Sequence, residues 1–111
     1  MKLLDNAAKL AFSGDKTKNH LLAAVAKRKD GAIVASRNGK TQVPRPTAHA
    51  EARTLKKAGH GSTLYVAKVH KRTGEWGMAK PCDNCMTRIR NMKVKRVYYT
   101  IAPNEYGVID L

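Results

Sequence analysis

The sequence predicts an α/β fold, a sheet of about five short strands flanked by helices, and three observations predict it. Apolar residues recur at helical spacing in some segments, short runs rich in β-branched and aromatic residues lie between them, and Gly, Pro and Asn punctuate the chain so that connections stay short. At 111 residues the chain has the length of one domain, taken as 1–111, able to bury a modest core without staples. Repeats, low-complexity tracts and linkers are absent from it.

Leu3 to Phe12 carry apolar residues at 3, 4, 7, 8, 11 and 12, a helical stripe that stops near Ser13-Gly14. "HLLAAVAKRKDGAIVASRNG" follows, two apolar runs around Asp30-Gly31 that read as a β-hairpin, closed by a second turn at Asn38-Gly39. A loop with Pro44 and Pro46 leads into "TAHAEARTLKKAGHG", a helix with Ala48, Ala52 and Leu55 inward and Gly59 as its stop. "STLYVAKVH" is a strand with Leu64, Val66 and Lys68 on one face, and "KRTGEWGMAK" a polar loop. From Pro81 a further helix begins, the proline occupying a first-turn position where its missing N–H costs nothing. Its apolar face would be Cys82, Cys85, Met86, Ile89 and Met92, with both thiols towards the core. "VKRVYYTI" and "YGVIDL" are the last strands, and the short turn at Pro103-Asn104 can join only antiparallel neighbours.

Charge is the strongest global signal: 22 Lys and Arg against 8 Asp and Glu give a formal net charge of +14. Such an excess costs self-repulsion in the folded state, and the usual compensation is a polyanion whose released counterions drive binding. The alternative is a merely soluble surface. Membrane binding is disfavoured, because the cations are dispersed, no apolar run reaches the roughly 18 residues of a spanning helix, and Asp5, Asn6 and Lys9 interrupt the N-terminal segment. A chain with two cysteines is no disulfide framework, so a reducing cytoplasm is expected, or a toxin domain delivered to a target cytoplasm.

Those cysteines stand in "KPCDNC". A redox pair usually follows a strand directly and has its proline between the thiols, whereas Pro81 precedes them here. A closed structural metal site needs four ligands, two of which would come from His20, His49, His60 and His70, none paired at finger-like spacing. His49 is the informative candidate, because Glu51 follows two residues later in "PTAHAEARTL" at a helix start. The helical neighbours of Glu51 are Thr54 and Leu55, which offer it no salt bridge.

HAE followed by PCxxC resembles the zinc-dependent cytidine deaminase superfamily, and the resemblance covers most of the chain. It implies a three-layer fold with a mixed sheet, Zn2+ held by His49, Cys82 and Cys85, and Glu51 as catalytic proton shuttle. Three protein ligands leave a fourth position for a water whose pKa falls from about 15.7 towards about 7. Glu51 would move that water's proton to the ring nitrogen and assist the departure of ammonia. Substrate contacts are expected from Asn38, Ala50, Trp76, Pro81, Tyr98 and Tyr99. Asn38 lies eleven residues before His49, where similar deaminases hydrogen-bond the sugar, although Asn38-Gly39 also reads as a plain turn. Trp76 is either a base-stacking residue or a loop anchor; Tyr98 and Tyr99 alternate faces, one towards the core.

"PTAHAE" is similar to tRNA adenosine deaminases, but those have a helix between their last two strands, for which this chain has no room. The terminal hairpin resembles instead the division holding free-cytidine deaminases and bacterial toxin-type DNA cytosine deaminases. With the charge, this favours cytosine in single-stranded DNA, with Arg45, Lys71, Arg72, Lys80 and Arg88 among the candidates for its phosphates. Arg90, Lys93, Lys95 and Arg96 extend the basic run. Alternatives are free cytidine, deoxycytidine or nucleotides, RNA adenosine or cytosine, and a non-enzymatic basic zinc module. A monomer is expected, since +14 per chain opposes tight self-association.

Overall fold

The computed structural model describes residues 2–13, 21–37 and 50–111, with the backbone alone for 50–53. The elements are α1 (Lys2–Phe12), β1 (Leu21–Lys27), β2 (Ile33–Arg37), α2 (Ala50–Ala58), β3 (Thr63–Val69), β4 (Trp76–Gly77), α3 (Asp83–Asn91), β5 (Arg96–Ala102) and β6 (Glu105–Asp110). They form a mixed α/β fold around one sheet in the order β2-β1-β3-β5-β6, with β4 paired to β3 off that path. Among the described residues, β3 and β5 are the one parallel pair, and the other pairings are antiparallel.

Of the predicted stripe in α1, Leu4, Ala7, Ala8 and Ala11 are buried facing the sheet, whereas Leu3 is half-buried and Phe12, at the end of the helix, is exposed. The helix ends where the Ser13 N–H donates to the Lys9 carbonyl and Ser13 Oγ to that of Leu10. β1 is buried on both sides, Leu21, Ala23 and Val25 towards α1 and Ala24 and Ala26 towards α2. Its alanines leave room for a helix on each face, while alternation keeps both faces apolar. The hairpin predicted around Asp30-Gly31 is present, with Gly31 at φ 92° and Asp30 Oδ1 accepting from the Ala32 N–H at 3.0 Å. The second turn, at Asn38-Gly39, lies outside the described residues, as do Ala48 and the side chain of Ala52.

α2 packs against β1 and β2, with Leu55 and Ala58 buried, and Gly59 ends the helix at φ 72° as expected. Leu55 and Ala58 share the core on that side with Leu64, Val66, Ile89 and Val97, each large side chain there stabilising the fold by about 1.5–3 kcal/mol. Lys68 has the parity of Leu64 and Val66, as expected, and lies half-buried over Gly77.

Three expectations need correction. The segment read as a polar loop contains β4, whose Gly77 and Trp76 pair with Lys68 and Val69, a two-residue strand added to the five of the main path. Two residues are too short to show periodicity. Pro81 stands before the N-cap and not in the first turn, because Cys82 is the N-cap with extended backbone (φ −70°, ψ 171°). For the same reason Cys82 is exposed: a residue outside the helical spiral escapes its 3.6-residue periodicity, and only Cys85, Met86 and Ile89 fill the buried face.

The β5–β6 hairpin is antiparallel as predicted, turning at Asn104 with φ 63°. Within it Gly107 faces Tyr99, whose ring occupies the space that a Cβ at 107 would need. Gly107→Ala is therefore expected to destabilise the protein by about 1–3 kcal/mol, read as a lowered midpoint in denaturant. Tyr99→Leu in the same background should recover part of the loss.

Candidate functional site

Each of α2 and α3 enters its following strand through a four-residue connection, residues 59–62 and 92–95. Because β3 and β5 are parallel, the two helices run side by side with both N-termini at the carboxyl end of those strands. That is the edge where open α/β sheets bind ligands, and two positive dipole ends meet there.

The sheet is closed at one end of this pair and forked at the other. At the amino ends, the Lys95 N–H donates to the Ser62 carbonyl at 2.9 Å. At the carboxyl ends, the parallel register stops after Val66 and Tyr99, and β3 takes β4 as its next partner. Thr100, fully buried, sits at the fork. Its hydroxyl donates to the Gly77 carbonyl at 2.7 Å and accepts from the Lys68 N–H at 3.1 Å. Its own carbonyl accepts from the Ala79 N–H at 2.9 Å. The segment leading to Pro81 and Cys82 thus hangs from one threonine. Sequence reading passed over Thr100, since a threonine in a β-branched run carries no signal beyond strand propensity.

Cys82 is the N-cap of α3 and Cys85 lies in its first turn, the first exposed, the second buried, and neither in a disulfide. Cys82 makes no side-chain capping bond, so its sulfur is not committed to the helix end. Two soft thiol donors at a helix N-terminus suit zinc. Among the described residues no group of three or more His, Cys, Asp or Glu gathers, so neither His60 nor His70 joins the thiols. His70 Nδ1 instead accepts from the Arg72 N–H at 3.3 Å. His20, His49, Asn38 and Arg45 lie outside the described residues. Ala50 begins α2 and Glu51 follows it, placed here by backbone alone.

The remaining candidates divide by location. Lys71 and Arg72 belong to the turn between β3 and β4, and Lys80 is exposed beside Pro81, so all three lie at the end of the sheet that holds the thiols. Arg88 lies farther along α3, in a cleft of about 200 Å³ between the helices that Leu55, Lys56, Asn91 and Met92 also line. Trp76 is half-buried against the α1-side core, the position of a loop anchor. Tyr99 packs against the α2 and α3 side, but Tyr98 points to the opposite face, where strand alternation must put it, and so does not share a side with α2 and α3. There it stacks on Tyr65 with centroids 5.0 Å apart. Burial, reinforced by Tyr98, raises the pKa of Tyr65, and hydrogen bonds to Tyr98 and then Asp110 raise that of Arg96.

The fork makes a specific expectation. Thr100→Val keeps shape and strand propensity but leaves the Lys68 N–H and Gly77 carbonyl without their partner, at a cost of about 1–3 kcal/mol. Thermal melting and zinc titration should both show the loss, and Thr100→Ser should restore both.

Among the comparisons with known proteins, a family model described as the cytidine and deoxycytidylate deaminase zinc-binding region matches residues 1–101. No curated protein matches the chain.

Proposed function

This chain belongs to the cytidine and deoxycytidylate deaminase family with its zinc-binding region, and from that premise we propose that it deaminates cytosine to uracil in single-stranded DNA. Deamination with zinc is the family's chemistry; the polynucleotide substrate is our reading. The observation that carries it is the net charge of +14, with Lys71, Arg72 and Lys80 at the thiol-bearing end of the sheet. A nucleoside needs no cation and a mononucleotide only a few, whereas a strand passing the pocket needs a row of them. The antiparallel end of the sheet fits the division that includes bacterial toxin-type DNA cytosine deaminases. A duplex would hide the cytosine in its stack, so the substrate is a single strand.

We assign the zinc ligands to His49, Cys82 and Cys85. Bound there, zinc supplies an activated water at neutral pH. Glu51, one residue after the start of α2, would carry a proton from the attacking water to the ring nitrogen, and would then move the second proton, from the hydroxyl left on the carbon, to the amine so that it departs as ammonia. The two helix N-termini favour the negative charge that collects between them. Asn38, Ala50 and Pro81 hold the base and sugar, and Arg45 and Arg88 extend the phosphate path.

Two experiments test this. Cys82→Ser or Cys85→Ser should lose stoichiometric zinc by atomic emission and melt at lower temperature, because metal binding energy is folding energy at such sites; retention of full zinc would remove that cysteine from the set. Mass spectrometry of bases after incubating the zinc-loaded protein with single-stranded DNA, matched RNA, cytidine and dCMP is expected to find uracil in DNA. The yield should fall with salt and be eliminated by Glu51→Ala, which should keep its zinc. Turnover of cytidine or dCMP alone would replace the polynucleotide reading with a metabolic one, and inosine or uracil in RNA alone would move it to RNA.

A further inference from the structure

The α1 side of the sheet is only partly covered. α1 packs across β1 and β3 and merely borders β5, and among the described residues no helix lies over β6. Strand alternation and register place Tyr65 on β3, Arg96 and Tyr98 on β5, and Tyr106, Val108 and Asp110 on β6 along this open face. Apolar residues belong there only if something covers them, yet Tyr106 is 47% exposed and Val108 44%.

The rings form a row. Tyr65 and Tyr98 are register partners of the parallel pair, their planes within 5° and their centroids 5.0 Å apart. Tyr106 continues the row at 6.2 Å from Tyr98, tilted by 53°. At one end Arg96 is fixed by hydrogen bonds to Asp110 and to the Tyr98 hydroxyl, which leaves a planar cation beside the rings.

We propose that this open face of β3, β5 and β6 is a stacking platform for the bases of a single-stranded nucleic acid, across the sheet from α2 and α3. The inference rests on the polynucleotide reading above and adds a second contact surface to it. Charge selects the occupant: a second copy on this face would bring two chains of +14 together, whereas a polyanion neutralises the excess. Base stacking needs an aromatic face and no particular base, so the platform tolerates any sequence. Its consequence is that the strand is held away from the reacting cytosine as well as beside it.

The test uses zinc-loaded full-length chain and fluorescein-labelled oligothymidine, which contains no cytosine, with anisotropy recorded over a range of salt concentrations. Tyr106→Ala should weaken binding by roughly five-fold or more at every salt concentration, with the slope against log salt unchanged because the phosphate contacts remain. Tyr106→Phe should bind as the parent does. Photocrosslinking of the unmutated protein to a bromodeoxyuridine oligomer should place adducts on Tyr98 or Tyr106, a readout that needs no variant to fold. Unchanged affinity in Tyr106→Ala, adducts confined to other residues, or a dimer in sedimentation that Tyr106→Ala dissolves would overturn the platform, the last by giving the face to a second copy. DNA deamination with an unaffected Tyr106→Ala would remove the platform alone; oligothymidine binding through Tyr106 with no DNA deamination would remove the proposed reaction alone.

Discussion

The parallel pairing of β3 with β5 is the constraint on which the rest of the arrangement depends. A parallel pair needs a crossover, and the one that joins β3 to β5 carries β4 and α3. Because α2 precedes β3 by the same short connection with which α3 precedes β5, the two helices are forced into the same direction. Their N-termini then meet at the carboxyl end of the pair, where the register ends and β4 enters. Thr100 holds that fork with three backbone partners, so the position of Pro81 and Cys82 is set by sheet geometry as much as by α3.

Much of this could be read in the sequence, for physical reasons that differ between elements. The stripe of Leu4, Ala7, Ala8 and Ala11 and the alternation of Leu64 and Val66 are repeated signals, so local noise does not erase them. Asp30-Gly31 and Gly59 were legible because the backbone there needs conformations that few residues supply. The candidate site was legible as spacing, HAE and then PCxxC, but not as placement. Cys82 was assigned to the buried side by a helical period that does not extend to an N-cap. Trp76 and Tyr98 could be given neither a partner nor a face until β4 and the register of β5 were known. Thr100 was invisible because its importance lies in three hydrogen bonds to residues more than twenty positions away.

The two faces of the sheet are used differently. On the α2 and α3 side, Ile89, Leu64, Val66 and Val97 make a continuous core that fixes α2 and the thiol-bearing α3. On the other, α1 covers β1 and β3 with small residues and leaves β6 to solvent. Among the described residues, the uncovered area falls at the end of the sheet farthest from α1.

The position of β6 at the sheet edge also bears on how the protein behaves in concentrated solution. Its outer row of peptide groups is an open template for another strand, and it is flanked by exposed Tyr106 and Val108. Glu105 and Asp110 at its ends and the repulsion between whole molecules are the guards against such pairing. Repulsion weakens as the Debye length shrinks from about 8 Å at physiological ionic strength to about 3 Å in molar salt. Colloidal stability is thereby tied to ionic strength: high salt is the condition under which the strand edges of neighbouring molecules approach one another most easily.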